Sequence, residues 1–87
     1  MKAKENYILR EIADTYMLVP IGEELAHFNG MITLNEVGAF LWKCLKSEQT
    51  EASLVQAILS EYDTDESTAR TDVRAFTALL AQHRLLQ

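Results

Sequence analysis

The residue types that carry out most protein chemistry are few in this chain and form no recognisable set. His27 and His83 lie far apart in the chain and share no local ligand spacing. Cys44 is the single cysteine and has no CxxC partner. We therefore interpret the histidines as structural or solvated, and Cys44 as a small apolar residue of a helix.

The acidic residues also lack a catalytic or metal-binding pattern. Asp63, Asp65 and Glu66 stand close together, without the glycine and the further ligands of an EF-hand loop. Glu23-Glu24 fits a solvated turn. The chain contains no GxGxxG motif and no phosphate-binding loop. We expect no catalytic residue, no metal and no cofactor, and we predict that the protein is not an enzyme.

Charge and composition narrow the classes of partner and the cellular location. The net charge of −5 over 87 residues disfavours contact with nucleic acid and with anionic membranes. The hydrophobic fraction of 48% supports a real core. No apolar run approaches the roughly 20 residues of a membrane span, and the charged N-terminus does not resemble a signal peptide. With a single cysteine, these features predict a cytoplasmic protein.

The elements that would position a site begin with strands. After a loose arm over residues 1–6, the segment Tyr7–Ala13 predicts the first strand, and Ile12 breaks its alternation in a way that permits a bulge. Asp14-Thr15 predicts a turn. Tyr16–Ile21 predicts a second strand that is apolar, and therefore buried, on both faces, with Pro20 at its end.

The turn signal Asn29-Gly30 leaves two arrangements open. Leu25–Phe28 and Met31–Thr33 flank this turn and are compatible with a small hairpin. They are equally compatible with one irregular third strand that kinks at the glycine. The sheet, over about residues 7–33, accordingly has three or four antiparallel strands.

Three helices are predicted over about residues 34–87. Thr33 and Glu36 fit a capping box for a first helix from about Leu34 to Lys46. Thr50 is the expected cap of the second helix, and Asp65 that of the third. Helix three should run to about Gln82. Strands followed by helices predict one α+β domain over residues 1–87.

Two features of this arrangement favour binding. A small sheet leaves edge strands whose backbone groups can accept another chain. On the outer side of helix three, spacings of three or four residues combine positive charge with small residues at Arg70, Arg74, Thr77 and Ala81. A solvated helix face is the simpler interpretation of that second pattern.

Several segments together resemble the PqqD family, whose members are small peptide-binding proteins of cofactor and natural-product biosynthesis. The resemblance rests on Tyr7–Ala13, Tyr16–Gly22 and Phe28–Trp42, and continues through Leu54-Val55, Glu61–Asp63 and the last helix. It implies a winged-helix-like fold, in which a three-stranded antiparallel sheet packs on three α-helices.

The resemblance also implies a function, that of a non-catalytic recognition element or peptide chaperone. Such a module captures the leader segment of a ribosomally made precursor peptide by strand addition beside the third strand. Helix three closes the cleft, and the complex is presented to a modifying enzyme, often a radical SAM enzyme. In this chain, the implied peptide-binding residues are Leu25, His27, Phe28, Met31, Ile32, Thr33, Arg70, Arg74, Thr77 and Ala81. Of these, Arg70 and Arg74 would be available for leader carboxylates.

Two other functions remain open at this point. Helices two and three could form the helix-turn-helix of a DNA-binding winged helix, although the carboxylates at Asp63, Asp65 and Glu66 would meet the DNA. The chain could also be a dimerisation module that exchanges its N-terminal hairpin. Both a monomer and a dimer are compatible with the sequence.

Overall fold

A three-stranded antiparallel sheet followed by three helices confirms the α+β prediction. The computed structural model describes residues 1–22 and 32–87. The elements, in chain order, are β1 Tyr7–Ile12, β2 Thr15–Pro20, β3 Ile32–Leu34, α1 Glu36–Cys44, α2 Glu51–Glu61 and α3 Glu66–Gln82. The strand order is β1-β2-β3, so β1 and β3 form the two edges of the sheet that the described residues build.

The β1–β2 hairpin is regular. Its register runs without interruption from Tyr7 opposite Pro20 to Ile12 opposite Thr15, so the bulge that the sequence pattern permits does not occur. The turn lies at Ala13 and Asp14, whose φ angles of 50° and 66° fit the left-handed conformation of a two-residue hairpin loop.

One face of the sheet is covered by the helices. Leu18 of β2 is fully buried, whereas its neighbours Met17 and Val19 point to the other face and are partly exposed. The expectation that β2 is buried on both sides is therefore wrong. Within the described residues, no helix has the length and apolarity that crossing a membrane would require.

The junction between β3 and α1 differs from the predicted capping box. Leu34 pairs with Tyr16 and is 5% exposed, so the strand continues through the expected helix start. The helix cap is Asn35, whose side chain accepts a hydrogen bond from the backbone N–H of Gly38 at 2.7 Å. Thr33 remains extended within the sheet. Pairing with β2 holds it there.

The caps of α2 and α3 agree with the sequence. The Thr50 hydroxyl accepts from the backbone N–H of Ser53 at 3.0 Å, and Ser53 accepts in return from Thr50 N–H at 2.8 Å. Asp65 accepts from the backbone N–H of Thr68 at 2.7 Å. These hydrogen bonds satisfy backbone donors that the helices leave unpaired.

Both chain ends pack against the core, in contrast to the expected loose arm. Ala3 is 6% exposed and donates its N–H to the carbonyl of Leu45 at 2.9 Å. Ala3 also bridges to Leu86, and Lys4 donates to the carbonyl of Leu85 at 2.8 Å. The N-terminal residues therefore close the helical side of the core.

Candidate functional site

A groove runs along the open side of β3. Within the described residues, β3 pairs with β2 on one side only, through the register Tyr16–Leu34, Met17–Thr33 and Leu18–Ile32. Beyond its open side lies α3, and the first turns of α1 form the floor. We call this space, about 210 Å³ in volume, the β3–α3 groove.

One face of α3 forms the far wall. It presents Asp72, Ala75, Phe76 and Leu79, whose spacing of three and four residues places them side by side. Phe76 and Leu79 are buried and half-buried, respectively, and Ala75 is exposed. Of the described lining residues, Asp72 is the charged one. The wall is therefore mainly apolar. Ala75 leaves room for a polypeptide chain to approach, and Asp72 adds one carboxylate.

Gly38 lies in the floor of the groove, where even a Cβ would be in contact with three neighbouring residues. A Cβ built on this residue would lie 3.1 Å from Asn35 Oδ1 and 3.4 Å from both Leu34 Cβ and Phe76 Cδ1. Because β3, α1 and α3 meet at this point, the glycine permits their close approach. It also donates its N–H to the Asn35 cap.

Arg70 and Arg74 lie on another side of α3, facing α2. Arg74 Nε is 3.0 Å from Glu51 Oε1, and Arg70 Nη1 is 3.5 Å from Glu51 Oε2. Arg70 Nη2 also contacts Glu66 Oε1 at 2.6 Å. The hydrogen bond from Arg74 lowers the pKa of Glu51, which keeps this carboxylate charged. Both arginines therefore have carboxylate partners within the chain.

The other predicted site residues divide between the groove and its surroundings. Thr33 lines the groove, while Ile32 is buried at 7% exposure. Thr77 and Ala81 lie outside the groove lining, and the Thr77 hydroxyl donates to the carbonyl of Arg74 at 3.2 Å. The remaining four lie outside the described residues, namely Leu25, His27, Phe28 and Met31. A peptide-binding role for the ten residues stays a prediction.

The sequence interpretation missed the groove face of α3. The predicted peptide-binding residues include none of Asp72, Ala75, Phe76 and Leu79, although Phe76 and Leu79 belong to the apolar stripe of this helix. The sequence signal that could have found it is Leu79, which widens the apolar stripe of α3 beside Phe76 and Leu80. In the structure, Leu79 lines the β3–α3 groove.

The β3–α3 groove can bind a ligand, but its described lining lacks several residue types that commonly take part in catalysis. The described groove lining contains no histidine, lysine or cysteine. No described cluster of histidine, cysteine, aspartate or glutamate could hold a metal ion. Burial raises the pKa of the Cys44 thiol, which disfavours the reactive thiolate.

Comparisons with known proteins agree with this geometry. The family described as Coenzyme PQQ synthesis protein D (PqqD) matches residues 13–86. A solved structure, TbiB1 in complex with the TbiA(beta) leader peptide, has a TM-score of 0.75 and 29% identity, and the match covers 100% of this chain and 95% of that one. Lasso peptide synthetase B1, complexed with its leader peptide, has a TM-score of 0.72 at 17% identity over 99% of this chain and 95% of that one, which shows a shared fold. No curated protein matches significantly.

Proposed function

The chain belongs to the PqqD family, and on that premise we propose that its β3–α3 groove captures the leader segment of a ribosomally synthesised precursor peptide. One observation carries the proposal: the open side of β3 faces an apolar wall of α3 across a groove about 210 Å³ in volume. The similar structure of TbiB1 holds a leader peptide, which supports the same class of ligand here.

Binding proceeds by strand addition. An extended leader exchanges backbone hydrogen bonds with β3, and alternate leader side chains enter the groove between Leu34 and the apolar wall residues Phe76 and Leu79. The other side chains of the leader point away from the groove, where they are free to contact another protein.

Apolar anchors supply most of the net affinity. The described part of β3 spans three residues, and each backbone hydrogen bond that a leader makes with it contributes only about 0.5–1.5 kcal/mol. Ordering a flexible peptide costs about 2–5 kcal/mol, which largely cancels that gain. Each buried leucine or phenylalanine side chain of the leader adds roughly 1.5–3 kcal/mol. Tight binding therefore requires at least two apolar leader residues at alternate positions.

Asp72 selects for positive charge in the leader. It is the charged residue among those described in the groove lining and is half-buried there. Arg70 and Arg74 already contact Glu51. A lysine or arginine of the leader beside Asp72 therefore fits better than the leader carboxylates that the sequence alone suggested.

The bound complex is then presented to a modifying enzyme, which we propose to be a radical SAM enzyme. The module itself contributes no chemistry and holds no cofactor. We place it in the cytoplasm, where precursor peptides are made. DNA binding and dimerisation stay predictions that no feature of the groove favours.

The test combines peptide identification with a matched pair of variants. Tagged protein captures peptides from the native organism, mass spectrometry identifies the precursor, and calorimetry measures its synthetic leader. Ala75→Arg fills the groove and should weaken leader binding by at least about tenfold, since it blocks apolar anchors. Ala78→Arg is the control, because Ala78 is exposed on α3 outside the groove lining. Equal affinity of the two variants would refute the proposed site.

A further inference from the structure

The opposite edge of the sheet carries a second groove. There, β1 is flanked by α1, and two adjoining cavities of about 320 and 480 Å³ share the lining residues Tyr7, Ile8, Trp42 and Lys46. We call this space the β1–α1 groove. Like the first groove, it joins an edge strand to one face of a helix.

Positive charge distinguishes the β1–α1 groove. Five of the eight lysines and arginines of the chain line it: Lys2, Lys4, Arg10, Lys43 and Lys46. None of the five forms an ion pair within residues 1–22 and 32–87, in contrast to Arg70 and Arg74. Glu5 is the carboxylate among its described lining residues. Of the six lysines and arginines that form no ion pair within the described residues, five therefore lie around this one groove, in a chain of net charge −5.

The floor of this groove suits an extended polypeptide. Trp42 lines both cavities but is 4% exposed and packed in the core, so half-buried Ile8 of β1 offers more apolar surface than the exposed edge of Trp42. Ile8, Leu9 and Arg10 pair with β2 on one side, and no other described strand lies beside β1. A peptide strand can use such an edge through its backbone, whereas a nucleic acid backbone cannot.

From these observations we infer that the β1–α1 groove docks an extended acidic segment of a second protein. Glutamates or aspartates of this segment pair with the five cations, while apolar residues between them pack on Ile8 and Trp42. The two edges of the sheet are separated by β2, so a peptide strand added to β3 cannot also pair with β1. The inference therefore concerns a separate partner and does not depend on leader binding at β3.

The charge of this groove predicts a strong effect of salt. Exposed ion pairs are individually weak and are screened by dissolved ions. Several acting along one groove can still select the sign of a partner's charge. Binding should therefore fall steeply with ionic strength and should disappear when the charges of the partner are reversed.

The experiment uses the full chain, labelled with ¹⁵N, and a synthetic peptide of about twelve residues that alternates glutamate and valine. We expect shifts of the Ile8 to Arg10 amides and of the Trp42 indole N–H. Affinity should fall at least about fivefold between roughly 50 and 300 mM NaCl. A peptide with lysine in place of glutamate should not bind.

A matched pair of variants tests the named cations. Lys46 lines both cavities, so Lys46→Glu should weaken binding of the acidic peptide at least about fivefold. The control is Gln56→Glu with Ser60→Glu, which adds the same negative charge at exposed positions of α2. Equal weakening in both variants, shifts at β3 in place of β1, or equal binding of the lysine peptide would overturn the inference. Concentration-dependent shifts of the β1 amides without peptide would instead assign the groove to a second copy of this chain, and would also overturn it.

Discussion

Gly38 of α1 and Phe76 of α3 lie so close together that a Cβ on the glycine would be 3.4 Å from Phe76 Cδ1. This contact brings the start of α1 against the wall of the β3–α3 groove. Both residues are buried, and both line the groove. The packing of the helices and the shape of the groove therefore depend on the same contact.

The variant Gly38→Val should lower the free energy of unfolding by about 1–3 kcal/mol, because its side chain overfills a packed contact. Urea denaturation followed by circular dichroism measures this change. Ala52→Val, at an exposed position of α2, is a control for placing valine in a helix without a tertiary contact and should cost well under 1 kcal/mol. Similar losses of stability in both variants would mean that the contact with Phe76 does not limit the size of the side chain at position 38.

The cap of α1 can be tested by comparing Asn35 with Thr33. Asn35→Ala removes the acceptor for the Gly38 N–H and should cost about 1 kcal/mol, within a usual range of about 0.5–2. Thr33→Ala should cost less than about 0.5 kcal/mol, because Thr33 is exposed and caps no helix. Thermal unfolding of both variants decides the matter. A larger loss of stability for Thr33→Ala than for Asn35→Ala would support the capping box of Thr33 and Glu36 that the sequence predicts.

Acid should destabilise the protein partly through Asp65. The hydrogen bond from the Thr68 backbone lowers the pKa of Asp65 below its ordinary value of 3.8. Because the pKa is lower in the folded state, the stabilisation is present above pH 3.8 and is lost as the pH falls through the folded value. Asp65→Asn keeps a capping side chain that does not titrate. Urea midpoints at several pH values should fall less steeply for this variant than for the wild type, and parallel curves would contradict the assignment.

Two charged residues of α3, Arg74 and Asp72, are expected to differ in their importance for leader binding. Arg74→Glu should leave leader affinity within about twofold of wild type, because Arg74 contacts Glu51 outside the groove lining. Its thermal stability should decrease slightly, since two carboxylates then face each other. Calorimetry with the captured leader measures the affinity. A loss of leader affinity of tenfold or more would indicate that Arg74 belongs to the binding site.

Asp72→Asn should weaken binding of a leader that carries a basic residue beside the groove. We expect a loss of about three- to tenfold at low salt, which decreases as the ionic strength rises. The same variant should bind a leader with that basic residue changed to glutamine as well as the wild type does. An unchanged affinity for the natural leader would remove Asp72 from recognition.

Local signals in the sequence were sufficient for much of the fold. The caps Thr50 and Asp65 each accept a hydrogen bond from an N–H three residues later, so their geometry is contained in a short segment. The succession of strands followed by three helices along the chain, and the resemblance to a peptide-binding family, also followed from the sequence. The family match over residues 13–86 confirms that resemblance.

Tertiary packing decided the remaining features. Thr33 and Asn35 are both plausible caps, and only the pairing of Leu34 with Tyr16, a contact distant in sequence, makes Asn35 the cap. Helix α3 has more than one face that could meet a peptide, and its packing on α2 determines which one lines the β3–α3 groove. That packing joins Arg74 to Glu51 and leaves the face of Leu79 towards β3. Helical periodicity defines the faces of a helix, but which neighbour each face meets depends on contacts between distant segments.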